Sequence, residues 1–322
     1  MTAPAPAPQR SRATTAGPAE PGRGTGGGRS RRRRGEAVTG WLFVGPAVVV
    51  IVGLGLFPAA WAGLLALQDW NGFSAPEFVG GENFSDMASD PDLASALGHT
   101  LGFTLLFVPA SLVAGLVLAV ALNRRIRFVS LYRTAVFVPF VASAAVTGLL
   151  SNYVFDPQVG VVNNVLRVAG VPAQGWLEDP RQALAVIVVM SLWQQLGFVT
   201  VVYLAALQDV DGSLVEAARM DGASGRQVFR HVTVPGVVPA TVFLAIWQVI
   251  QSIQIFDLVF TTTRGGPLGS TTTLVYYLWE QAFRELRFGY GSAIALVLFV
   301  VTMLLTLVLA VGSQRRGAGA PA

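Results

Sequence analysis

The sequence contains no cysteine and no lysine, and only two histidines, His99 and His231. The missing cysteine removes disulfides and thiolate metal sites from consideration, and two histidines leave little for an imidazole-based one. The missing lysine excludes a nucleotide-binding loop of the glycine-rich GK[ST] kind, whose lysine holds the phosphates. Any ATP used by this protein is therefore bound by another chain. Charge is scarce as well. Only 12% of the 322 residues are Asp, Glu, Lys or Arg, about half the ~25% of an ordinary soluble domain. Apolar residues fill that space, at 53% of the chain, and a soluble globular domain is excluded.

The first 36 residues are Ala-Pro, Gly and Arg in low-complexity order, ending on Arg29-Ser30-Arg31-Arg32-Arg33-Arg34. Such a segment has nothing to bury and is expected to be a disordered tail. Six apolar stretches follow, each long enough for a bilayer, which takes about 20 residues: roughly 39–67, 97–122, 134–155, 182–207, 236–260 and 291–312. The first is too long for the apolar part of a cleavable signal and reads as an anchor, although Ala60-Trp61-Ala62 mimics a cleavage site. The expected divisions are the tail (1–36), a first membrane helix with its outer loop (37–96), a helical core (97–313) and a short final tail (314–322).

All 22 basic residues are arginines, and their placement orients the chain. With the N-terminus inside, 17 fall on the inner side: eight in the tail, Arg124, Arg125, Arg127 and Arg133 after the second span, Arg219, Arg226 and Arg230 after the fourth, and Arg315 and Arg316 at the end. Five fall outside, namely Arg167, Arg181, Arg264, Arg284 and Arg287. The bias obeys the positive-inside rule and predicts both termini in the cytoplasm of a multi-pass membrane protein; the Arg-only, Ala/Gly/Val-rich composition suggests a GC-rich bacterial genome. The tail's arginine cluster reads as a topology determinant that touches anionic lipid, and no nucleic-acid partner is expected.

The inner loop between the fourth and fifth spans, 209–235, is the most informative stretch. Ser213 and Glu216 have capping-box spacing and predict a helix from Leu214. Ser224 and Gln227 repeat the pattern and predict a second from Gly225, with Asp221-Gly222 as the turn between them. Pro235 suits the first turn of the fifth span, where its missing N–H costs nothing. Two structured helices in an inner loop suggest a docking element.

Glu216-Ala217-Ala218, three residues to Gly222, and a proline thirteen residues further on resemble the EAA loop of ATP-binding-cassette importer permeases. The resemblance continues in Phe256-Asp257, in Thr263-Arg-Gly265-Gly266-Pro267, in Thr271-Thr272-Thr273, in Tyr277-Leu-Trp-Glu280 and in Phe288-Gly289-Tyr290. Together these resemble carbohydrate-uptake permeases of the maltose-transporter type, its F subunit in particular, over about residues 40–313. The resemblance implies an all-α integral membrane protein with the type I ABC importer permease fold. It also implies a second homologous permease chain, an ATPase dimer carrying ATP and Mg, and an extracytoplasmic sugar-binding protein. No cofactor is bound and no catalysis is performed by this chain itself. Glu216, Ala217, Ala218, Asp221, Gly222, Phe229 and Pro235 then form the ATPase-coupling element, with Phe229 anchoring its second helix against the permease.

Polar residues at mid-span are costly in lipid and mark pathways. On the fifth span Gln248, Gln251, Ser252 and Ile255 share one helical face. Gln248, Ser252 and Ile255 resemble sugar-contacting positions of the maltose-type F subunit. Trp193, Leu196, Gly197 and Thr200 on the fourth span resemble the other half of that site, with Trp193 available to stack on a pyranose. Interhelical hydrogen bonding and packing would explain the same residues. Asp257 is expected near the outer surface, pointing away from the Gln248 face, in a structural role. The lack of a mid-membrane arginine argues for a neutral sugar, with polyol or glycerol phosphate import as alternatives. An ion-coupled secondary transporter would show internal repeats and helices broken at mid-membrane, and the sequence predicts neither.

Overall fold

The computed structural model describes residues 41–124 and 127–317. The expected disordered tail with its eight arginines, Arg125, and residues 318–322 lie outside the described residues. The chain divides into two units, 1–58 and 59–322.

Its helices are α1 (Trp41–Leu65), α2 (Glu82–Ser89), α3 (Pro91–Leu122), α4 (Val129–Val141), α5 (Ala144–Val154), α6 (Val161–Val168) and α7 (Ala183–Asp209). After them come α8 (Gly212–Met220), α9 (Gly225–Val228), α10 (Val238–Ile253), α11 (Asp257–Thr261), α12 (Leu274–Trp279) and α13 (Phe288–Gly317). A two-residue antiparallel pair, β1 (Gln68–Asp69) with β2 (Glu77–Phe78), closes the turn before α2.

Among the described residues, five helical segments are long and apolar enough to cross a membrane: Trp41–Leu65, Pro91–Leu122, Ala183–Asp209, Val238–Thr261 and Phe288–Leu309. The third expected span, 134–155, is not one straight helix. It is α4 followed by α5 at an angle of 100°, which makes six spans if the bent pair counts as one. The bend falls at Ala142 and Ser143, both with extended backbone. A break in lipid leaves carbonyls that must find donors inside the protein, and Gln194 Nε2 of α7 donates to the Ala142 carbonyl at 3.4 Å.

The fifth span is interrupted too. Its regular helix ends at Ile253 and restarts at Asp257. The freed Ile255 carbonyl accepts from the buried Thr273 hydroxyl at 3.0 Å. The threonines around the following turn do the same work: Thr271 Oγ1 donates to the Gly266 carbonyl at 2.7 Å and Thr272 Oγ1 to Gly265 at 3.3 Å. The expectation of unbroken spans is therefore corrected. Hydroxyl and amide side chains satisfy the irregular backbone, so no long polar run in the sequence announces it.

Helix α3 packs along α7 to form the core. One cluster joins Phe103 and Phe107 to Val186, Ile187, Leu258, Val259 and Tyr276, and a second joins Ala119 and Leu122 to Val199, Tyr203, Leu207 and Leu244. Gly115 permits the close approach, because a Cβ there would collide with Val199.

A third junction is polar. Asp90 caps α3, its Oδ1 accepting the N–H groups of Asp92 and Leu93 at 2.9 and 3.2 Å. Its Oδ2 accepts the hydroxyls of Tyr277 on α12 and Tyr290 on α13 at 2.6 and 2.5 Å. Burial pushes the Asp90 carboxyl up, but the hydrogen bonds from the two tyrosines and the two N–H groups outweigh it and hold the carboxyl below its ordinary value.

Candidate functional site

Both helix interruptions border one polar cavity of about 260 Å3. Ser191, Gln194 and Gln195 of α7 form one wall, and Gln251, Gln254, Ile255, Phe256, Asp257 and Leu258 form another. Ala144 of α5 and Phe103 and Phe107 of α3 complete it. The lining lies about midway along α7 and past the middle of the Val238–Thr261 segment.

Among the described residues, seven buried side-chain atoms have no hydrogen-bond partner: Ser191 Oγ and Gln195 Oε1 belong to the cavity lining, while both amide atoms of Gln248, Arg133 Nε, Ser270 Oγ and Thr302 Oγ1 belong to residues outside it. Buried polar atoms in native proteins are almost always paired, so an unpaired group at a cavity wall points to a partner from outside the chain. The cavity holds no basic side chain. Its glutamines and serine offer both donors and acceptors, Asp257 adds a carboxylate, and the two phenylalanines offer apolar faces. This composition suits a polyhydroxylated ligand, whose hydroxyls need both senses of hydrogen bond.

The structure divides the eight residues proposed from sequence. Gln251 and Ile255 line the cavity. Gln248 and Ser252 are fully buried, and Ser252 Oγ donates to the Val249 carbonyl at 2.8 Å. Thr200, also buried, donates to the Leu196 carbonyl at 2.7 Å. Gly197 sits where α7 meets α4, and a Cβ there would lie 2.5 Å from the Val136 carbonyl oxygen. Trp193 is 43% exposed and, like Leu196, is not part of the cavity wall.

Sequence reasoning missed Ser191, Gln194, Gln195 and Gln254. The first three stand at i, i+3 and i+4, a spacing that puts them on one face of a helix and could have been read. Asp257 corrects a further expectation, since it shares the cavity with Gln251 and Ile255. The helical step of 100° per residue does not carry through a break, so the direction read from an unbroken helix was wrong.

The second candidate element is the segment 209–236. Helix α8 begins two residues before the expected start. Its cap is Asp211, whose carboxylate accepts the Ser213 N–H at 2.8 Å, so the Ser213–Glu216 capping box does not form. The Ser213 N–H first, and then its hydroxyl, hold the Asp211 carboxyl below the ordinary value. Asp wins because its charge is favoured at a helix N-terminus.

The end of α8 is a Schellman motif. The Ala223 N–H donates to the Ala218 carbonyl at 2.9 Å and the Gly222 N–H to Arg219 at 3.1 Å, with Gly222 at φ +83°. The second capping box forms as expected, from Ser224 and Gln227 at the start of α9. The helix then passes through a π-type segment, Phe229–Thr233, and a single turn, Val234–Gly236, before α10 begins. Pro235 therefore sits in that single turn, and Pro239 takes the first-turn position of the fifth span.

Val228 is buried, whereas Phe229, expected as the anchor of this helix, is 37% exposed. Leu214, Met220 and Phe229 are all exposed on this element, as are Glu216, Ala217, Asp221, Gly222 and Pro235, while Ala218 is half-buried.

Among the described residues there is no group of three or more His, Cys, Asp or Glu able to hold a metal ion.

Residues 111–317 match the family of binding-protein-dependent transport system inner membrane components. The lactose transport system permease protein LacF of Rhizobium radiobacter is 35% identical over 275 residues, covering 84% of this chain and 92% of that one. Two permease proteins of Agrobacterium fabrum are also similar. SmoG, of a sulfoquinovosyl glycerol transport system, is 33% identical over 85% of this chain and 90% of its own. UgpA, of an sn-glycerol-3-phosphate transport system, is 31% identical over 83% and 91%. In fold, the chain resembles a bacterial ABC transporter involved in the import of the acidic polysaccharide alginate, with a TM-score of 0.79 at 21% identity over 89% of this chain and 99% of that one. The five or six apolar spans among the described residues, the interrupted helices that meet at a polar cavity and these matches agree: the chain belongs to the multi-pass inner membrane components of binding-protein-dependent ABC importers.

Proposed function

We propose that this chain is one of two permease subunits of an importer for a neutral sugar, driven by ATP that a separate ATPase subunit hydrolyses. The observation that carries the reading is the cavity at the two helix breaks, where Ser191, Gln194, Gln195, Gln251 and Gln254 gather polar atoms without a basic side chain. Its volume of about 260 Å3 lies just under the ~300 Å3 lower end of small-molecule sites, as expected for one wall of a site that a second permease chain completes. Gln251 and Ile255 supply that wall, and the unpartnered amide of Gln248 lies one turn deeper. An extracytoplasmic binding protein delivers the sugar. The ATPase grips the segment from Asp211 to Pro235 on the cytoplasmic side, where exposed Leu214, Met220 and Phe229 surround Glu216, Ala217 and Asp221. ATP binding then shifts the complex toward the state that binds sugar differently, as coupling requires.

Uptake by the reconstituted importer tests both halves. Gln251→Ala should lower sugar uptake several-fold while ATPase association is kept. Glu216→Lys should abolish uptake and weaken ATPase co-purification while sugar binding is kept. Unchanged uptake in both variants contradicts the reading.

A further inference from the structure

We infer that Asp257 is the residue that sets charge selectivity in the cavity, admitting uncharged sugars and excluding anionic ones. The inference rests on the proposed sugar-binding role of that cavity.

Three observations support it. Asp257 is the single charged residue of the lining, beside Ser191, Gln194, Gln195, Gln251 and Gln254. Among the described residues its carboxylate has neither a hydrogen bond nor an ion-pair partner; the contact of this residue is made by its backbone carbonyl, which accepts the Thr261 hydroxyl at 2.7 Å. The break at Gln254–Phe256 brings Asp257 to the cavity beside Gln251 and Ile255, whereas an unbroken helical step would have set it on another face.

A carboxylate accepts hydrogen bonds only, and its two oxygens match a pair of adjacent sugar hydroxyls. Hydrogen bonds to an ionised acceptor are about twice as strong as neutral ones, so Asp257 strengthens binding of a diol. The same charge repels a carboxylate, sulfonate or phosphate on the ligand. With no basic side chain in the lining to offset it, two like charges within about 5 Å in a water-accessible cavity differ from the neutral case by about 10- to 100-fold in affinity.

The test uses the assembled importer, with matched methyl glycosides and methyl glycosiduronates of the gluco, galacto and manno series as probes, and equilibrium binding as the readout. Wild-type protein should bind the neutral member of a pair at least 10-fold more tightly. Asp257→Asn should shrink that ratio by about 10- to 100-fold, mainly by gain of the acidic probe, and Asp257→Glu should retain it. Equal or tighter wild-type binding of the acidic probes overturns the inference, as does an Asp257→Asn variant with an unchanged ratio. Gln251→Ala separates the two claims. If it weakens binding of both probes while Asp257→Asn leaves the ratio alone, the cavity reading stands and the role of Asp257 falls. If it changes neither, the cavity reading itself fails.

Discussion

Replacing Asp90 should loosen three helices at once. Its carboxylate takes four hydrogen bonds: two from N–H groups in the first turn of α3 and one each from the hydroxyls of Tyr277 and Tyr290. An N-cap is worth about 1 kcal/mol, and a hydrogen bond to a charged group about 1.5–3 kcal/mol. Asp90 is only half-buried, so the low end applies to both tyrosines. Asp90→Ala should then cost about 3–4 kcal/mol. Asp90→Asn, which can still cap but presents an amide to the tyrosines, should cost about 2 kcal/mol.

Reversible unfolding in mixed detergent micelles reads these values, and a cycle with Tyr290→Phe isolates the pair. The two changes should be non-additive by about 1–2 kcal/mol. The pH dependence follows from the lowered carboxyl. A depressed folded-state pKa means the stabilisation is fully present above the unfolded value of about 3.9 and is lost as pH falls through the folded one. The gap between wild type and Asp90→Asn should be flat from neutral pH down to about pH 5 and close under strongly acidic conditions. Additive effects in the cycle, or a gap that widens in acid, would refute the reasoning.

Three other outcomes are expected. Gly197→Ala should destabilise by about 1–3 kcal/mol in the same unfolding assay, because the new Cβ meets backbone at Val136 and Phe137 that no rotamer change can move; unchanged stability would show that α4 and α7 part freely. Thr273→Val, equal in volume, should cost about 1–2 kcal/mol by leaving the Ile255 carbonyl without its hydroxyl donor, and faster hydrogen exchange around Gln254–Phe256 would report it. Gly222→Val should uncouple ATP hydrolysis from uptake. Positive φ costs a side-chain-bearing residue about 1–2 kcal/mol, which is enough to displace the α8–α9 turn. Limited proteolysis near Gly222 checks that displacement.

How far the sequence was legible depended on the kind of signal. Long apolar runs gave the spans, because a 20-residue hydrophobic stretch has few other homes. Ser224 and Gln227 gave the start of α9 correctly, since a capping box is a local event. Ser213 and Glu216 had the same spacing and failed, because Asp211 two residues upstream offers a better cap. The breaks at Ala142–Ser143 and Gln254–Phe256 were not legible. The donors that make them tolerable, Gln194 and Thr273, lie 52 and 18 residues away in sequence. Helical periodicity therefore placed Gln248, Gln251, Ser252 and Ile255 on one face, whereas packing buried two of them and the break brought Asp257 into the group. Val228 and Phe229 show a smaller version of the same limit, since one residue of phase separates a buried side chain from one 37% exposed.

The absence of cysteine from the chain makes the most direct test of the central claim simple to read. A Gln251→Cys variant, assembled with its partner chains in proteoliposomes, carries one thiol in this subunit, on the wall of the cavity. The rate at which a small water-soluble thiol reagent labels this subunit should fall several-fold when the transported sugar is present. A control thiol at the exposed position Val168, outside the apolar spans, should be labelled equally with and without sugar. Equal labelling of Gln251→Cys with and without saturating sugar would contradict the assignment of the cavity as the sugar site.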